Sequence, residues 1–138
     1  MEYNPYALTG KTILVTGASS GIGRAVAIEC SRLGAHVILS ARNKEKLEET
    51  LKMMEGHGHQ VIECDLSKEK EVSLLIDEVP EIQGLVNNAG TTMTVPVPFI
   101  KFNVLSDLLK VNTIAPIMIL SGLVKKKKLR ANSSVVFT

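Results

Sequence analysis

A chain of 138 residues, 45% hydrophobic and 22% charged, is long enough to bury one core and too apolar to be disordered. Its net charge of +2 is too small to point to nucleic acid. The composition therefore favours one globular domain spanning residues 1–138.

Met1 to Gly10 is polar and mixed, without the basic start and apolar run of a signal peptide. Thr12 to Thr16 predicts a buried strand, and glycines follow it. Ile22 to Leu33 predicts a helix with Ile22, Val26 and Leu33 on its apolar side, Ala25 and Cys30 beside them, and Gly34 as its stop. His36 to Ser40 is a second strand. Asn43 can cap a helix in which Leu47, Leu51 and Met54 share a face, ended by Gly56 and Gly58. Val61 to Cys64 is a third strand, and Ser67 can cap a helix with Val72, Leu75, Ile76 and Val79 inside and Pro80 at its close. Gly84 to Asn87 is a fourth strand. A broken helical region from Phe99 to Leu129 and a fifth strand from Ser134 to Thr138 complete the pattern. Within that region Val111 to Val124 is nearly uncharged, but it is too short for a membrane span and carries Asn112, Thr113, Pro116 and Ser121. It reads as a buried helix. Cys30 and Cys64 match no metal-ligand spacing and read as buried, reduced thiols in a cytoplasmic protein. Alternating strands and helices imply an α/β fold: a doubly wound parallel sheet with right-handed crossovers and helices on both faces.

Thr16-Gly17-Ala18-Ser19-Ser20-Gly21-Ile22-Gly23 joins the first strand to the first helix. In that position Gly17 permits a tight turn, Gly21 lets a pyrophosphate approach the backbone, and Gly23 lets helix pack on strand. Free N–H groups and the positive helix end favour an anion there. The spacing is neither Gly-x-Gly-x-x-Gly nor a P-loop, and the bland alternative is a ligand-free strand–helix turn. At the end of the second strand, a site for NAD usually places a carboxylate on the adenosine ribose. Here no acid lies between Glu29 and Glu45, and Ser40-Ala41-Arg42-Asn43 stands instead. Arg42 can grip a 2′-phosphate by charge-assisted hydrogen bonds, which favours NADP; otherwise it is a solvated residue before a helix. Asp65, after the third strand, can accept from an adenine amino group, cap the next helix with Ser67, or do both.

Several motifs then coincide. Thr16 to Gly23 resembles the Thr-Gly-x-x-x-Gly-x-Gly signature of the short-chain dehydrogenase/reductase family. Asn87-Asn88-Ala89-Gly90 is similar to its Asn-Asn-Ala-Gly motif, Asp65-Leu66 to its Asp-hydrophobic pair, and Val111-Asn112 to the Val-Asn pair of its long helix. The resemblance runs from about Lys11 to Thr138. It implies a Rossmann-like sheet of about five strands in the order 3-2-1-4-5. It further implies that Gly17, Ser19, Ser20, Gly21, Ile22 and Gly23 line the cofactor phosphates, and that Arg42 with Asn43 faces the 2′-phosphate. Asp65 and Leu66 would flank adenine, and Asn88, Ala89 and Gly90 would line the cofactor ribose, with Val111 nearby. Asn112 matches the catalytic asparagine, whose backbone carbonyl positions a water. Pro116, four residues on, cannot donate to that carbonyl, so it either frees the carbonyl for water or simply kinks the helix.

The family's chemistry needs a serine after the fifth strand and a Tyr-x-x-x-Lys pair. The only tyrosines here are Tyr3 and Tyr6, and neither has a lysine four residues on. Val135 to Thr138 looks like the fifth strand, so the chain reads as a truncated cofactor-binding portion that is inactive alone, from an enzyme that is a homo-oligomer at full length. One sheet edge and one apolar helix face should then lie uncovered. From Leu108 onward Lys110, Lys125 to Lys128 and Arg130 meet no acid. This run is either a patch for an acidic partner, such as an acyl carrier protein, or a solvated helix end. The resemblance implies hydride transfer between NADP and a small carbonyl or alcohol, with no nucleic acid, membrane or metal involved. The competing readings are a non-catalytic NADP-binding or interaction module and, less well matched, a sugar-nucleotide epimerase.

Overall fold

Strands whose side chains are apolar on both faces need cover on both sides, and helices supply it. The computed structural model describes residues 3–138. Its strands are β1 (Thr12–Thr16), β2 (His36–Ala41), β3 (Gln60–Glu63), β4 (Ile82–Asn87) and β5 (Leu129–Phe137). They form one sheet of order β3-β2-β1-β4-β5, with every neighbouring pair parallel. The connecting helices are α1 (Gly21–Arg32), α2 (Lys44–Met53), α3 (Glu69–Glu78), α4 (Phe102–Leu109) and α5 (Ala115–Lys125).

Period-two alternation along the strands divides the core in two. Leu14 of β1 lies level with Ile38 and Leu85 and joins Leu75, Ile119 and Leu123 from α3 and α5. Ile13, Val15, Val37 and Leu39 point the other way, onto Ala27 of α1 and Leu47 of α2. Leu14, Leu39, Leu47 and Leu85 are fully buried, and each such side chain contributes about 1.5–3 kcal/mol.

The structure departs from the sequence expectations in several places. Helix α1 turns Gly23, Ala27 and Ser31 inward, while Ile22 is 67% exposed. Small side chains at four-residue spacing let the helix sit close to the sheet, and closeness outweighs the burial of one isoleucine. Helix α3 starts at Glu69, and Ser67 does not cap it; Ser67 instead donates its hydroxyl and backbone N–H to Asp65 Oδ1, at 2.7 and 3.0 Å. The expected break near Pro116 is a π turn, Lys110–Ile114, in which the N–H of Ala115 bonds the carbonyl of Lys110. The wider turn absorbs the donor that Pro116 lacks, so α4 and α5 continue one another. Strand β5 begins at Leu129 rather than Ser134, because a register shift between Ile82 and Gly84 and a left-handed Asn132 carry polar residues through its first half.

The continuous helix Phe102–Lys125 has 24 residues and is apolar enough to cross a membrane by length and composition. It is not the uniformly buried helix expected. Val111, Ala115, Ile119 and Leu123 pack into the core, whereas Ile114, Ile117, Met118 and Val124 are exposed. These exposed apolar residues share one helix face, and β5 is an edge strand of the sheet.

Candidate functional site: a cationic cleft at the strand ends

The carboxyl ends of β1, β2 and β4 open into a cleft of about 400 Å³. Its floor is the turn between β1 and α1. Gly17 takes φ +64°, and a Cβ there would lie 2.8 Å from the Ala89 Cα. A Cβ on Gly23 would stand 2.1 Å from the Gly17 carbonyl oxygen, so α1 can approach β1 only without one. Gly21 has φ +57°, and its Cβ would meet no protein atom within 4 Å. The two positions thus differ: Gly23 serves packing, whereas Gly21 serves the turn and leaves its outer face clear. The α1 N-terminus has no side-chain cap and no acid in its first turn. The α2 N-terminus, by contrast, is capped by the Asn43 side chain, which accepts from the Lys46 N–H at 3.1 Å, and carries Glu45.

The facing wall begins where β4 ends. The buried Thr16 hydroxyl accepts from the backbone N–H groups of Asn88 and Ala89, at 3.0 and 3.1 Å, and donates to the Val86 carbonyl. The Asn88 amide donates to the Gly17 carbonyl at 3.4 Å. Thr16 therefore fastens the Asn88-Ala89-Gly90 turn to the glycine turn. At the third wall stand Arg42, Asn43 and Lys46. The lining includes these two cations and no carboxylate.

This arrangement has counterparts among known proteins. A profile of the short chain dehydrogenase family matches residues 11–138. The chain belongs to the short-chain dehydrogenase family. It is 45% identical over 85 residues to the 3-oxoacyl-[acyl-carrier-protein] reductase of Rickettsia felis, covering 62% of this chain and 35% of that protein. It is 34% identical over 144 residues to the 3-ketodihydrosphingosine reductase of Mus musculus, covering 96% of this chain and 43% of that one. The chain thus spans less than half the length of these relatives. A Pseudomonas aeruginosa RhlG/NADP active-site complex superposes with a TM-score of 0.85 at 28% identity, covering 98% of this chain and 57% of that one. The family is one of oxidoreductases, and that structural neighbour carries a nicotinamide cofactor.

In this member of the family, the cleft gathers most of the residues singled out in sequence. Gly17, Ser19, Ser20, Arg42, Asn43, Leu66, Asn88, Ala89, Gly90 and Val111 all line it. Gly21, Ile22, Gly23 and Asp65 do not. Ile22 points to solvent and Gly23 is buried beneath the turn. Burial alone would push the Asp65 carboxyl up, but the two Ser67 hydrogen bonds, with Lys68 and Arg42 nearby, outweigh it and hold the group below its ordinary value. Asn112 is exposed, and its side chain makes a two-way pairing with one backbone: Oδ1 accepts from the Thr91 N–H at 2.7 Å and Nδ2 donates to the Thr91 carbonyl at 2.8 Å. It pins the loop after Gly90, and the π turn places it beside Val111.

Sequence reasoning missed Lys46, Thr91 and Cys64 in the lining. Lys46 was legible, since it lies in the first turn of the helix that Asn43 caps, three residues beyond that cap. Thr91 depends on a long-range pairing with Asn112 and gave no local signal. The basic run is mostly committed to structure. Lys128 donates to the carbonyls of Ile76 and Asp77 at the end of α3, at 2.6 and 2.7 Å, Lys126 pairs with Asp77, and Arg130 pairs with Glu81. These cations do complement a helix end, but it is that of α3.

Proposed function

We propose that this chain binds NADP, in preference to NAD, as the cofactor portion of an oxidoreductase acting on a small carbonyl or alcohol. The observation that carries the reading is the charge of the cleft: Arg42 and Lys46 with no carboxylate. A 2′-phosphate is dianionic and needs such a wall, whereas the ribose diol of NAD is usually held by an acid. Uncapped N–H groups at the start of α1 would take the pyrophosphate, with Ser19 and Ser20 beside them. Asn88, Ala89 and Gly90 would face the nicotinamide ribose. When bound, the nicotinamide supplies or accepts the hydride. Asn112, held by Thr91, would present its backbone carbonyl to a water of the proton path.

Fluorescence titration tests the reading. NADPH should bind more tightly than NADH, and Arg42→Ala should weaken NADPH by about 1.5–3 kcal/mol while sparing NADH. Tighter binding of NADH, or an Arg42→Ala variant with unchanged NADPH affinity, would overturn it.

The alternative reading is a non-catalytic NADP-binding or interaction module. Carbonyl-dependent oxidation of NADPH separates the two. A cytoplasmic setting, a homo-oligomeric full-length protein and the absence of nucleic-acid or membrane partners belong to the first reading as proposals.

A further inference from the structure

Arg24 lies one residue past the glycine turn and is not in the lining of the cleft, yet it makes more side-chain hydrogen bonds than Arg42 does. Its Nη2 donates to the Ser19 carbonyl at 2.6 Å, to Glu49 Oε2 at 3.2 Å and, more weakly, to the Lys46 carbonyl at 3.3 Å. Its Nε donates to the Thr50 hydroxyl at 2.9 Å. That hydroxyl is fully buried and donates in turn to the Ala18 carbonyl at 2.8 Å. Two consecutive carbonyls of the glycine turn, those of Ala18 and Ser19, are therefore held by groups anchored on α2. The guanidinium fork suits the task, because Nε and Nη2 reach acceptors on different elements at once and a single ammonium does not.

The two elements so joined both line the cleft, one as its floor and the other as its cationic wall. Ser19 belongs to the turn, and Lys46 stands in the first turn of α2 beside Asn43 and Arg42. The 2′-phosphate and the pyrophosphate hang from one ribose, so their separation has a limited range, and the spacing of floor and wall decides whether both can be held together.

We propose that Arg24 is a positioning residue for cofactor selectivity: its bridge from Ser19 to Thr50 and Glu49 sets the spacing between the glycine turn and the Arg42–Lys46 wall. The inference rests on the NADP reading above. Loss of the bridge lets α2 drift, and this weakens the cofactor that uses both the turn and the cationic wall more than the one that uses the turn alone.

The test is the ratio of NADH to NADPH dissociation constants, measured by fluorescence titration of the full chain and its variants. Arg24→Met keeps the apolar stem, and Arg24→Lys keeps the charge without the fork. Each should lower the ratio by about 3- to 10-fold. In an Arg42→Ala background the same substitutions should leave the ratio nearly unchanged, because Arg24 acts through that wall. Thr50→Val provides a variant with Arg24 intact and should shift the ratio in the same direction. A parent that prefers NADPH, with Arg24 and Thr50 variants that weaken both cofactors equally or only melt earlier, overturns the role of Arg24 alone. A parent without preference for NADPH overturns the NADP reading and the selectivity role with it. Full restoration of the ratio by lysine overturns the fork argument.

Discussion

Replacing Gly23 by alanine tests how tightly α1 is seated on the sheet. The added Cβ would lie 2.1 Å from the Gly17 carbonyl oxygen and 2.5 Å from Asn88 Nδ2, both far inside contact distance. The helix must retreat by about 1 Å to restore ordinary separations. Overpacking of this kind costs about 1–3 kcal/mol. The retreat also breaks the 3.4 Å bond from Asn88 to the Gly17 carbonyl, worth about 1 kcal/mol. Alanine returns about 0.5–1 kcal/mol of helix propensity. The net cost is about 1–3.5 kcal/mol, which for a chain of this size lowers Tm by roughly 3–12 °C. Gly21→Ala is the control: its Cβ meets no protein atom within 4 Å and pays only for φ +57°, about 1 kcal/mol. Thermal melts followed by circular dichroism should therefore rank parent, Gly21→Ala and Gly23→Ala in falling order. A Gly23→Ala variant that melts with the parent, or above Gly21→Ala, would refute the close seating of α1.

Three further outcomes are expected. Thr16→Val leaves the Asn88 and Ala89 N–H groups without their acceptor and should cost about 2–3 kcal/mol in urea titration, with Thr16→Ser recovering most of it. His59→Ala removes the Nδ1 acceptor of the Val37 N–H, a 3.1 Å bond beside the β2–β3 pairing, and should cost about 1 kcal/mol and speed hydrogen exchange at the Val37 amide. Burial, with Glu71, Asp65 and Glu78 adding to it, pushes the Cys64 thiol up from 9.0 to about 12. The native state then keeps a proton that the unfolded chain gives up. Stability is fully present below pH 9.0 and falls between there and about pH 12, by at most roughly 1.4 kcal/mol per pH unit. Cys64→Ala should flatten that alkaline slope, and a slope unchanged by the substitution would remove Cys64 as its cause.

The sequence by itself determined the order of strands and helices, the glycine turn, the Asn43 cap and the absence of an acid before Arg42. Each is a local signal, in which neighbouring residues fix one another's backbone, cap or charge. That is why the positions of β1, β2 and α2 were legible to within a residue or two. The tertiary structure decided what depends on residues far apart in the chain. Ile22 is exposed because Gly23, Ala27 and Ser31 must meet the sheet, a choice made by the distance from α1 to β1. The start of β5 follows its pairing to β4, since Arg130, Asn132 and Ser133 carry no strand signal of their own. Lys128 reaches the last carbonyls of α3, and Lys126 its Asp77 carboxylate, only because α5 packs beside that helix. Thr16, Arg24 and Asn112 bond partners 72, 26 and 21 residues away. A one-dimensional pattern records which residues can make such bonds, and only packing in three dimensions selects which of them do.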